Sequence, residues 1–306
     1  MSKVFKTEGK GILEKKKTGF IAWLKEMGII FGAFLVLNSF VLASFEVPTG
    51  SMEDEIMTGD FLLVNKFIFG GTTPRTIPFT STKIPSFKLP ALWDVERGDI
   101  IVFNFPGYRD EVEPAEFAYY LKRCMALAGD TLQIINRVVY VNGTAAHVPR
   151  NMKFNSAIVK PAGWADPRIF PEGAVFNEDN YGPTVVPKKG DMIELSPSNF
   201  EQWEIFIKRE GHRMELLNGK VYIDGGEKTA YTVERDYVFG MGDNRDNSLD
   251  SRFWGFIPKD AIIGTPVIVY WSWDPDLPLL IGEFPFLNIA RKLTTVRWSR
   301  FGTLVK

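Results

Sequence analysis

A serine and a distant lysine are the residues with the clearest potential for catalysis. Ser51 lies in the segment VPTGSM (47–52), directly after an uncharged apolar run, and Lys122 lies in the mostly apolar stretch FAYYLKRCMALA (117–128). A serine hydroxyl becomes a good nucleophile only when a base accepts its proton. A lysine amine can be that base where burial lowers its pKa from about 10.4 to roughly 7 or 8. We therefore predict a serine nucleophile with a lysine base, against the alternative of a surface lysine in a strand.

A dense polar motif, GDNRDNSLDSRFWGFIP (242–258), is the second candidate for chemistry. Burial of its charges is unfavourable unless they form pairs and hydrogen bonds. A calcium loop could use the oxygens of Asp243, Asn247 and Asp250, but two arginines lie in the same motif and the EF-hand spacing is missing. A solvated turn is disfavoured by the FWGF sequence that follows. We therefore expect an ordered polar network that supports a site.

Composition excludes several other classes of function. The chain has 306 residues with 36 basic and 37 acidic side chains, so no global field favours nucleic acid. The two histidines, His147 and His212, have no metal-ligand spacing, and no metal site is expected. Cys124 is the only cysteine and allows no internal disulfide. The cations beside it could favour a reactive thiolate, but a buried apolar role is the preferred interpretation.

A hydrophobic segment near the N-terminus predicts attachment to a membrane. Residues 28–45 carry no charge, and as a helix they would span roughly 27 Å, close to the hydrocarbon thickness of a bilayer. Residues 1–27 hold seven lysines against three glutamates, which by the positive-inside rule keeps this lysine-rich tail cytoplasmic. A core helix and a signal peptide cleaved near Ala43 are the alternatives. We prefer an uncleaved transmembrane helix, because cleavage would detach the body just before Ser51.

The residues after this segment have the pattern of an antiparallel β body. Three segments rich in branched and aromatic residues predict strands, namely Asp60–Phe67, Asp99–Phe105 and Thr131–Ile135. Residues 70–90, rich in Pro, Thr and Ser, predict an extended loop or a frayed hairpin. The similar stretches 131–143 and 213–225 predict hairpins with Asn/Gly or Asp/Gly turns.

One helix and the two ends of the body complete the predicted organisation. Ser198 and Glu201 form a capping-box pattern before an amphipathic stretch. The predicted fold class is mainly β. A catalytic β domain is formed by residues 46–144 and 236–290, and a β-rich insertion that contains the helix is formed by residues 145–235. Residues 291–306 hold five basic and no acidic side chains and predict a basic tail, either solvated or lying on anionic headgroups.

Four short motifs in order behind the apolar segment resemble those of bacterial type I signal peptidases, also called leader peptidases. They are SM (51–52) with GD (59–60), RGD (97–99), KR (122–123) with GD (129–130), and the polar motif 242–258. The resemblance covers the anchor and residues from about 46 to 142 and 237 to 271, but not obviously residues 145–235. After the serine, the family often has Met-x-Pro-Thr-Leu, whereas this chain has MEDEI (52–56).

The resemblance implies a role for each matching residue. Ser51 resembles the family's nucleophile and Lys122 its general base. Thr49 matches the hydroxyl residue that forms the oxyanion hole with the Ser51 backbone N–H. Ser248 matches the serine that orients the lysine amine. Asp250 and Arg252 match a structural ion pair, and Asp243 matches a nearby supporting carboxylate.

The resemblance also implies a substrate and a location. Shallow apolar pockets for small side chains are implied at four positions: Val47, Pro48, Met52 and Leu121. The implied function is a serine endopeptidase that removes N-terminal signal peptides from exported preproteins after Ala-x-Ala-like residues, without a metal or an organic cofactor. The implied enzyme is a monomer in the bacterial cytoplasmic membrane. It would be single-pass, with a cytoplasmic N-terminus and the catalytic domain on the outer face, in contact with the lipid bilayer and with no nucleic acid.

Three other functions are alternatives to this one. A Ser/Lys self-cleaving repressor of the same broad fold would have a soluble DNA-binding domain where this chain has lysines and an apolar segment. A penicillin-binding acyltransferase would need a Ser-x-x-Lys sequence, which does not occur. The alternative from another class is a membrane-anchored β module that binds partners without catalysis, and it would be indicated by loss of Ser51 or Lys122.

Overall fold

Antiparallel β-sheets form most of the chain in the computed structural model, and one long helix precedes them. The structure describes residues 5–71, 85, 87–277 and 285–306, with side chains from residue 19 in the first range and from residue 288 in the last. The mainly β fold class predicted from the sequence is confirmed. The predicted strands are present as β2, β3 and β5, whereas most of the predicted loop at 70–90 lies outside the described residues.

The elements have the following bounds. The helices are α1 Phe5–Phe40, α2 Phe200–Arg209, α3 Ser251–Trp254 and α4 Pro285–Thr294. The strands of the first half are β1 Leu42–Glu46, β2 Asp60–Asn65, β3 Ile100–Asn104, β4 Tyr119–Ala126, β5 Thr131–Ile135, β6 Val138–Val141 and β7 Thr144–Ala145. The remaining strands are β8 Tyr181–Val185, β9 Met192–Glu194, β10 Met214–Leu217, β11 Lys220–Ile223, β12 Gly226–Glu227, β13 Ala230–Thr232, β14 Tyr237–Met241, β15 Ile257–Pro258, β16 Ile262–Ser272 and β17 Thr303–Leu304.

Helix α1 contains a span that is long and apolar enough to cross a membrane. The span is Gly19–Phe40, 22 residues with a mean hydropathy of 1.9, and its most apolar 18-residue window contains no buried residue. At the helical rise it reaches ~33 Å, about the hydrocarbon thickness of a bilayer. The prediction of a helix over 28–45 is wrong at both ends. The helix starts well before residue 28, and Leu42–Glu46 is strand β1, because its backbone pairs along its whole length with β2.

The sheet that bears Ser51 and Lys122 has the strand order β1-β2-β16-β3-β4-β14-β15, with β17 added to β16. Strand β4 pairs with β3 from Tyr119 to Arg123. On its other side, β4 pairs with β14 only from Arg123 onward. Within the described residues, the stretch 119–122 is therefore paired on one side only, and its other edge is open.

The two predicted hairpins are present and share the same register. Leu132 pairs with Val141 in β5–β6, and Met214 pairs with Ile223 in β10–β11. The turn between β10 and β11 is Asn218-Gly219, as predicted. The turn between β5 and β6 is instead Asn136-Arg137, both with positive φ (47° and 73°), the backbone of a type I′ hairpin turn. The Asn-Gly pair at 142–143 forms the next turn, between β6 and β7.

The insertion shares its core with the strands that carry the site. One buried cluster includes Ile207 and Met214 from the insertion together with Met125 of β4 and Phe239 of β14. Helix α2 lies in the insertion as predicted, but its predicted cap is wrong. The capping box is formed by Ser196 and Asn199, which begin a short 3-10 turn before α2. The cap lies earlier because Pro197 suits the first position of that turn.

The C-terminal residues, predicted as a basic tail from 291 onward, are instead part of the β body. Strand β17 pairs with β16. The guanidinium of Arg300 donates to Asp60 at 2.8 and 2.5 Å, and the backbone N–H of Lys306 donates to Glu55 at 2.8 Å. Arg300 thus has a buried acidic partner 240 positions away in the sequence, and the segment folds back beside the loop that follows Ser51.

Candidate active site

The side chains of Ser51 and Lys122 meet in a direct hydrogen bond. Lys122 Nζ donates to Ser51 Oγ at 2.6 Å. Ser51 is 8% exposed and Lys122 is 3% exposed, so water has little access to the contact. Ser51 lies in the turn region after β1, and Lys122 lies in the middle of β4. The fold thus brings together the two residues that the sequence predicts as nucleophile and base.

The polar motif holds the backbone on which Ser51 sits. Asn244 donates its backbone N–H to the Ser51 carbonyl and its side-chain Nδ2 to the Gly50 carbonyl, each at 3.0 Å. Gly242 lies so close that a Cβ there would collide with the Ser51 carbonyl oxygen and with Ser248 Oγ. The glycine is therefore required by close approach of the two segments.

The surroundings of Lys122 favour an uncharged amine. Burial lowers the pKa of Lys122 from 10.5 to about 8, although the carboxylates of Asp250 and Asp243 oppose the shift. The amine lies 5.9 Å from the ring centroid of Tyr120 and 6.0 Å from that of Trp254. The Arg252 charge adds to the lowering. A large neutral fraction near pH 8 is what a lysine base requires.

The nearby carboxylates are each bonded to an arginine. Asp250 accepts from Arg252 Nε at 2.9 Å and Nη2 at 2.8 Å, and from the Gly242 N–H at 3.0 Å. The predicted Asp250–Arg252 ion pair is therefore present, and both residues are at most 1% exposed. Asp243 accepts from Arg123 at 2.9 and 2.6 Å. Burial of these charges is compensated by pairing, and the oxygens of Asp243 and Asp250 considered for a calcium loop are used by guanidinium groups.

Two predicted residues line the site without a hydrogen bond that defines their role. Thr49 and Ser248 both border the cleft beside Ser51 and Lys122. The Ser248 hydroxyl is buried and has no hydrogen-bond partner in the part of the chain that the structure describes. A buried hydroxyl without a partner is unfavourable. Its role in orienting the lysine amine, like the oxyanion role of Thr49, remains a prediction.

The cleft above the pair has a volume of about 750 Å³. All four residues predicted as substrate pockets line it: Val47, Pro48, Met52 and Leu121. Val47 and Met52 are buried and pack with Leu62 and Val102 in one apolar cluster. The cleft floor is therefore apolar on the side of β1 and β2.

Several residues of the site were missed by reasoning from sequence. Arg123 was noted only as a neighbour of Lys122, although it binds Asp243, and Asn244 was noted only as part of a polar motif. The sequence feature that could have indicated them is their place within the motifs that match the family. Arg168 and Glu178, which also line the cleft, come from the insertion, where no motif points to them. Cys124 is fully buried, and burial raises its pKa to about 12, so the apolar interpretation is confirmed over the reactive thiolate.

The arrangement is suited to acyl transfer by a serine nucleophile. A neutral amine within hydrogen-bonding distance of a hydroxyl can accept its proton as the oxygen attacks a carbonyl carbon. The open edge of β4 and the apolar cleft would accept an extended peptide. The fold and the site together fit the class of serine peptidases with a lysine base.

Comparison with known proteins identifies the family. Residues 20–271 match the family described as "Signal peptidase, peptidase S26". The chain is 30% identical over 280 residues to signal peptidase I of Buchnera aphidicola subsp. Schizaphis graminum, covering 87% of this chain and 79% of that one. It is 29% identical over 280 residues to signal peptidase I of Pseudomonas aeruginosa (87% and 78% covered) and 26% identical over 287 residues to that of Aquifex aeolicus (89% and 90% covered). The chain belongs to the S26 signal peptidase family.

Proposed function

We propose that the chain is a membrane-anchored serine endopeptidase that removes N-terminal signal peptides from exported preproteins. The observation that carries this proposal is the buried 2.6 Å contact between Lys122 Nζ and Ser51 Oγ. The proposal is supported by membership of the S26 family and by relatives named signal peptidase I. The apolar span of α1 supports attachment to the membrane.

The proposed reaction has two halves. Ser51 Oγ attacks the scissile carbonyl carbon while the neutral amine of Lys122 takes the hydroxyl proton. The Ser51 N–H and the Thr49 hydroxyl stabilise the oxyanion, and Ser248 orients the amine. The Lys122 ammonium then protonates the leaving amine. Water, deprotonated by the same lysine, hydrolyses the acyl-enzyme and restores Ser51.

The preprotein would bind as an extended strand. Its backbone would pair with the open edge at residues 119–122, since β14 pairs with β4 only beyond this stretch. Small side chains before the scissile bond would contact Val47 and Leu121 on the apolar floor, which explains a preference for Ala-x-Ala-like sequences. The specificity for small side chains would come mainly from the limited depth of the apolar pockets that receive them.

Anchoring would raise the effective concentration of substrate. Strand β1 begins at Leu42, two residues after α1 ends, and Ser51 follows within the same short segment. A monomer with its lysine-rich N-terminus in the cytoplasm would place the site on the outer face, close to the lipid, where the signal peptide of the preprotein also ends. In this arrangement residues 46–144 and 236–290 form the catalytic domain and residues 145–235 the insertion.

Substitution of the two central residues tests the proposal. Ser51→Ala and Lys122→Met should each reduce cleavage of a preprotein by about 10³-fold or more, because neither nucleophile nor base has a substitute. The measurement is kcat/KM on the full chain in detergent, with circular dichroism to establish folding. Lys220→Met is a matched control, because Lys220 is 57% exposed, pairs with Glu227 and does not line the cleft. Full activity in either central variant would instead favour a non-catalytic binding module.

A further inference from the structure

Part of the cleft wall is built by the insertion. The lining that includes Ser51 and Lys122 also includes Asn247 and Ser248 of the polar motif and Arg168 and Glu178 of the insertion. Arg168 lies in the segment between β7 and β8, more than 40 residues from Lys122 in sequence. The insertion therefore contributes charged groups to the same cleft that contains the catalytic pair.

Arg168 is held in place but remains accessible. Its Nε and Nη2 donate to the buried carboxylate of Asp166 at 3.0 and 2.6 Å, and Nη2 also lies 3.4 Å from Glu178. The guanidinium carbon lies 5.4 Å from the ring centroid of Phe253. The side chain is still 66% exposed, and its Nη1 has no hydrogen-bond partner among the residues that the structure describes. A positioned guanidinium with a free amino group is suited to binding a carboxylate.

The acidic groups of this wall have partners within the protein. Glu178 bonds to Lys160 at 2.5 Å and lies 3.4 Å from Arg168 Nη2. Asp246 accepts the backbone N–H groups of Asn155 and Ser156, each at 2.7 Å. Arg168 is thus the charged group of the wall that keeps an open donor.

The direction of β1 indicates which part of a preprotein reaches this wall. The chain leaves α1 at Phe40, runs along β1 and arrives at Ser51. A signal peptide that leaves the same membrane would run in the same direction, with its last residues beside Val47 and the apolar floor. The residues after the scissile bond would then reach the wall formed by the insertion, where Arg168 lies against Phe253 of the polar motif.

We propose that Arg168 is a specificity-determining residue that favours an acidic side chain among the first residues of the mature protein. This inference rests on the proposed function. The contact would form between Arg168 Nη1 and a carboxylate two to five residues after the scissile bond. Because the guanidinium is exposed and partly neutralised by Asp166, the expected preference is about threefold.

Charge reversal on both partners tests the inference. The probes are preprotein substrates with a single Glu or a single Lys at each position from two to five after the scissile bond. For at least one position the wild-type chain should cleave the Glu substrate about threefold faster in kcat/KM. Arg168→Ala should abolish this preference and Arg168→Glu should reverse it. Raising the salt concentration should weaken it, because the contact is solvent-exposed.

Arg213→Glu is the matched control, because Arg213 is 76% exposed, pairs with Glu215 and lies outside the cleft. It should leave the preference unchanged. An equal fall for Glu and Lys substrates in Arg168→Ala would mean that Arg168 only stabilises the Asp166 loop, and it would overturn the inference. Cleavage that depends on Ser51 but shows no charge preference would overturn this inference and leave the proposed function standing. If the wild-type chain cleaved no preprotein, the proposed function would fail with it.

Discussion

Lys122 and Lys153 both form hydrogen bonds with the segment that contains Ser51, Lys122 from within the cleft and Lys153 from outside its lining. Lys122 is buried beneath Tyr120 and Trp254, and burial lowers its pKa to about 8. Lys153 bonds to Asp54 at 3.0 Å and lies 3.5 Å from Glu53, and the hydrogen bond to Asp54 raises its pKa. Two lysines beside one serine are thus driven toward opposite charge states.

Burial of Lys122 is the main cause of this difference in pKa, and the cations that the neighbouring carboxylates already bind add to it. Near Lys122, Asp250 is bonded to Arg252 and Asp243 is bonded to Arg123, so neither carboxylate is left to pair with Lys122. Near Lys153, Asp54 and Glu53 have Lys153 itself as their cation. Arginine stays charged in such sites and occupies a carboxylate with two donors. Arg123 and Arg252 therefore help a lysine to remain neutral beside buried acids.

Removing Arg252 should have the largest effect on the difference in charge state between Lys122 and Lys153. In Arg252→Met the fully buried Asp250 loses its partner, which should lower the free energy of unfolding by roughly 3–5 kcal/mol. The negative charge of Asp250 would then raise the pKa of Lys122, so the rise of kcat/KM with pH should move to higher pH. Chemical unfolding and a pH profile of cleavage measure the two effects.

The double variant Asp250→Asn with Arg252→Met is the matched control. It removes the uncompensated charge, so the pH profile should return toward that of the wild-type chain. If Arg252→Met alone left the pH profile in place, the arginine would have no part in keeping Lys122 neutral.

Lys122→Met should reveal the energetic consequence of the buried amine. The pKa of Lys122 is about 8 in the folded chain and near 10.5 when unfolded, a difference worth ~3 kcal/mol. Because the folded pKa is lowered, the folded chain is destabilised below about pH 8, and this destabilisation disappears as the pH approaches about 10.5. The stability advantage of Lys122→Met over the wild-type chain should therefore shrink by about 3 kcal/mol from pH 7 to pH 10.5. A constant difference in unfolding free energy across that range would show that Lys122 is not desolvated.

Part of this site could be predicted from sequence because its signals are local. Asp250 and Arg252 are two positions apart, and Ser51 and Lys122 each lie in a short recognisable motif. The strands were predictable from their branched and aromatic residues. The contact between Ser51 and Lys122 itself followed from the resemblance of the motifs.

The remainder depends on contacts between distant segments. Nothing local links Arg123 with Asp243, 120 positions away, or Arg300 with Asp60, 240 positions away. The stretch Leu42–Glu46 is apolar enough for either a helix or a strand, and only pairing with β2 decides between them. The contribution of Arg168 to the cleft depends on how the insertion packs, which periodicity does not show.

Lys153→Ala should have the smallest effect. Lys153 is partly exposed and its partners are near the surface, so the change in unfolding free energy should be less than about 1 kcal/mol. The pH profile of cleavage should keep its shape, because the causes that set the pKa of Lys122 do not include Lys153. Thermal unfolding and the same cleavage assay measure both. A shift of the pH profile in Lys153→Ala would show that Lys153 and Lys122 are electrostatically coupled.

The most direct measurement is the pH dependence of kcat/KM for the wild-type chain with a preprotein substrate. With Lys122 as a base whose pKa is about 8, the value should rise about tenfold per pH unit at acidic pH and level off above about pH 8. A rate that stays constant from about pH 5 to about pH 9 would contradict a buried neutral lysine as the base.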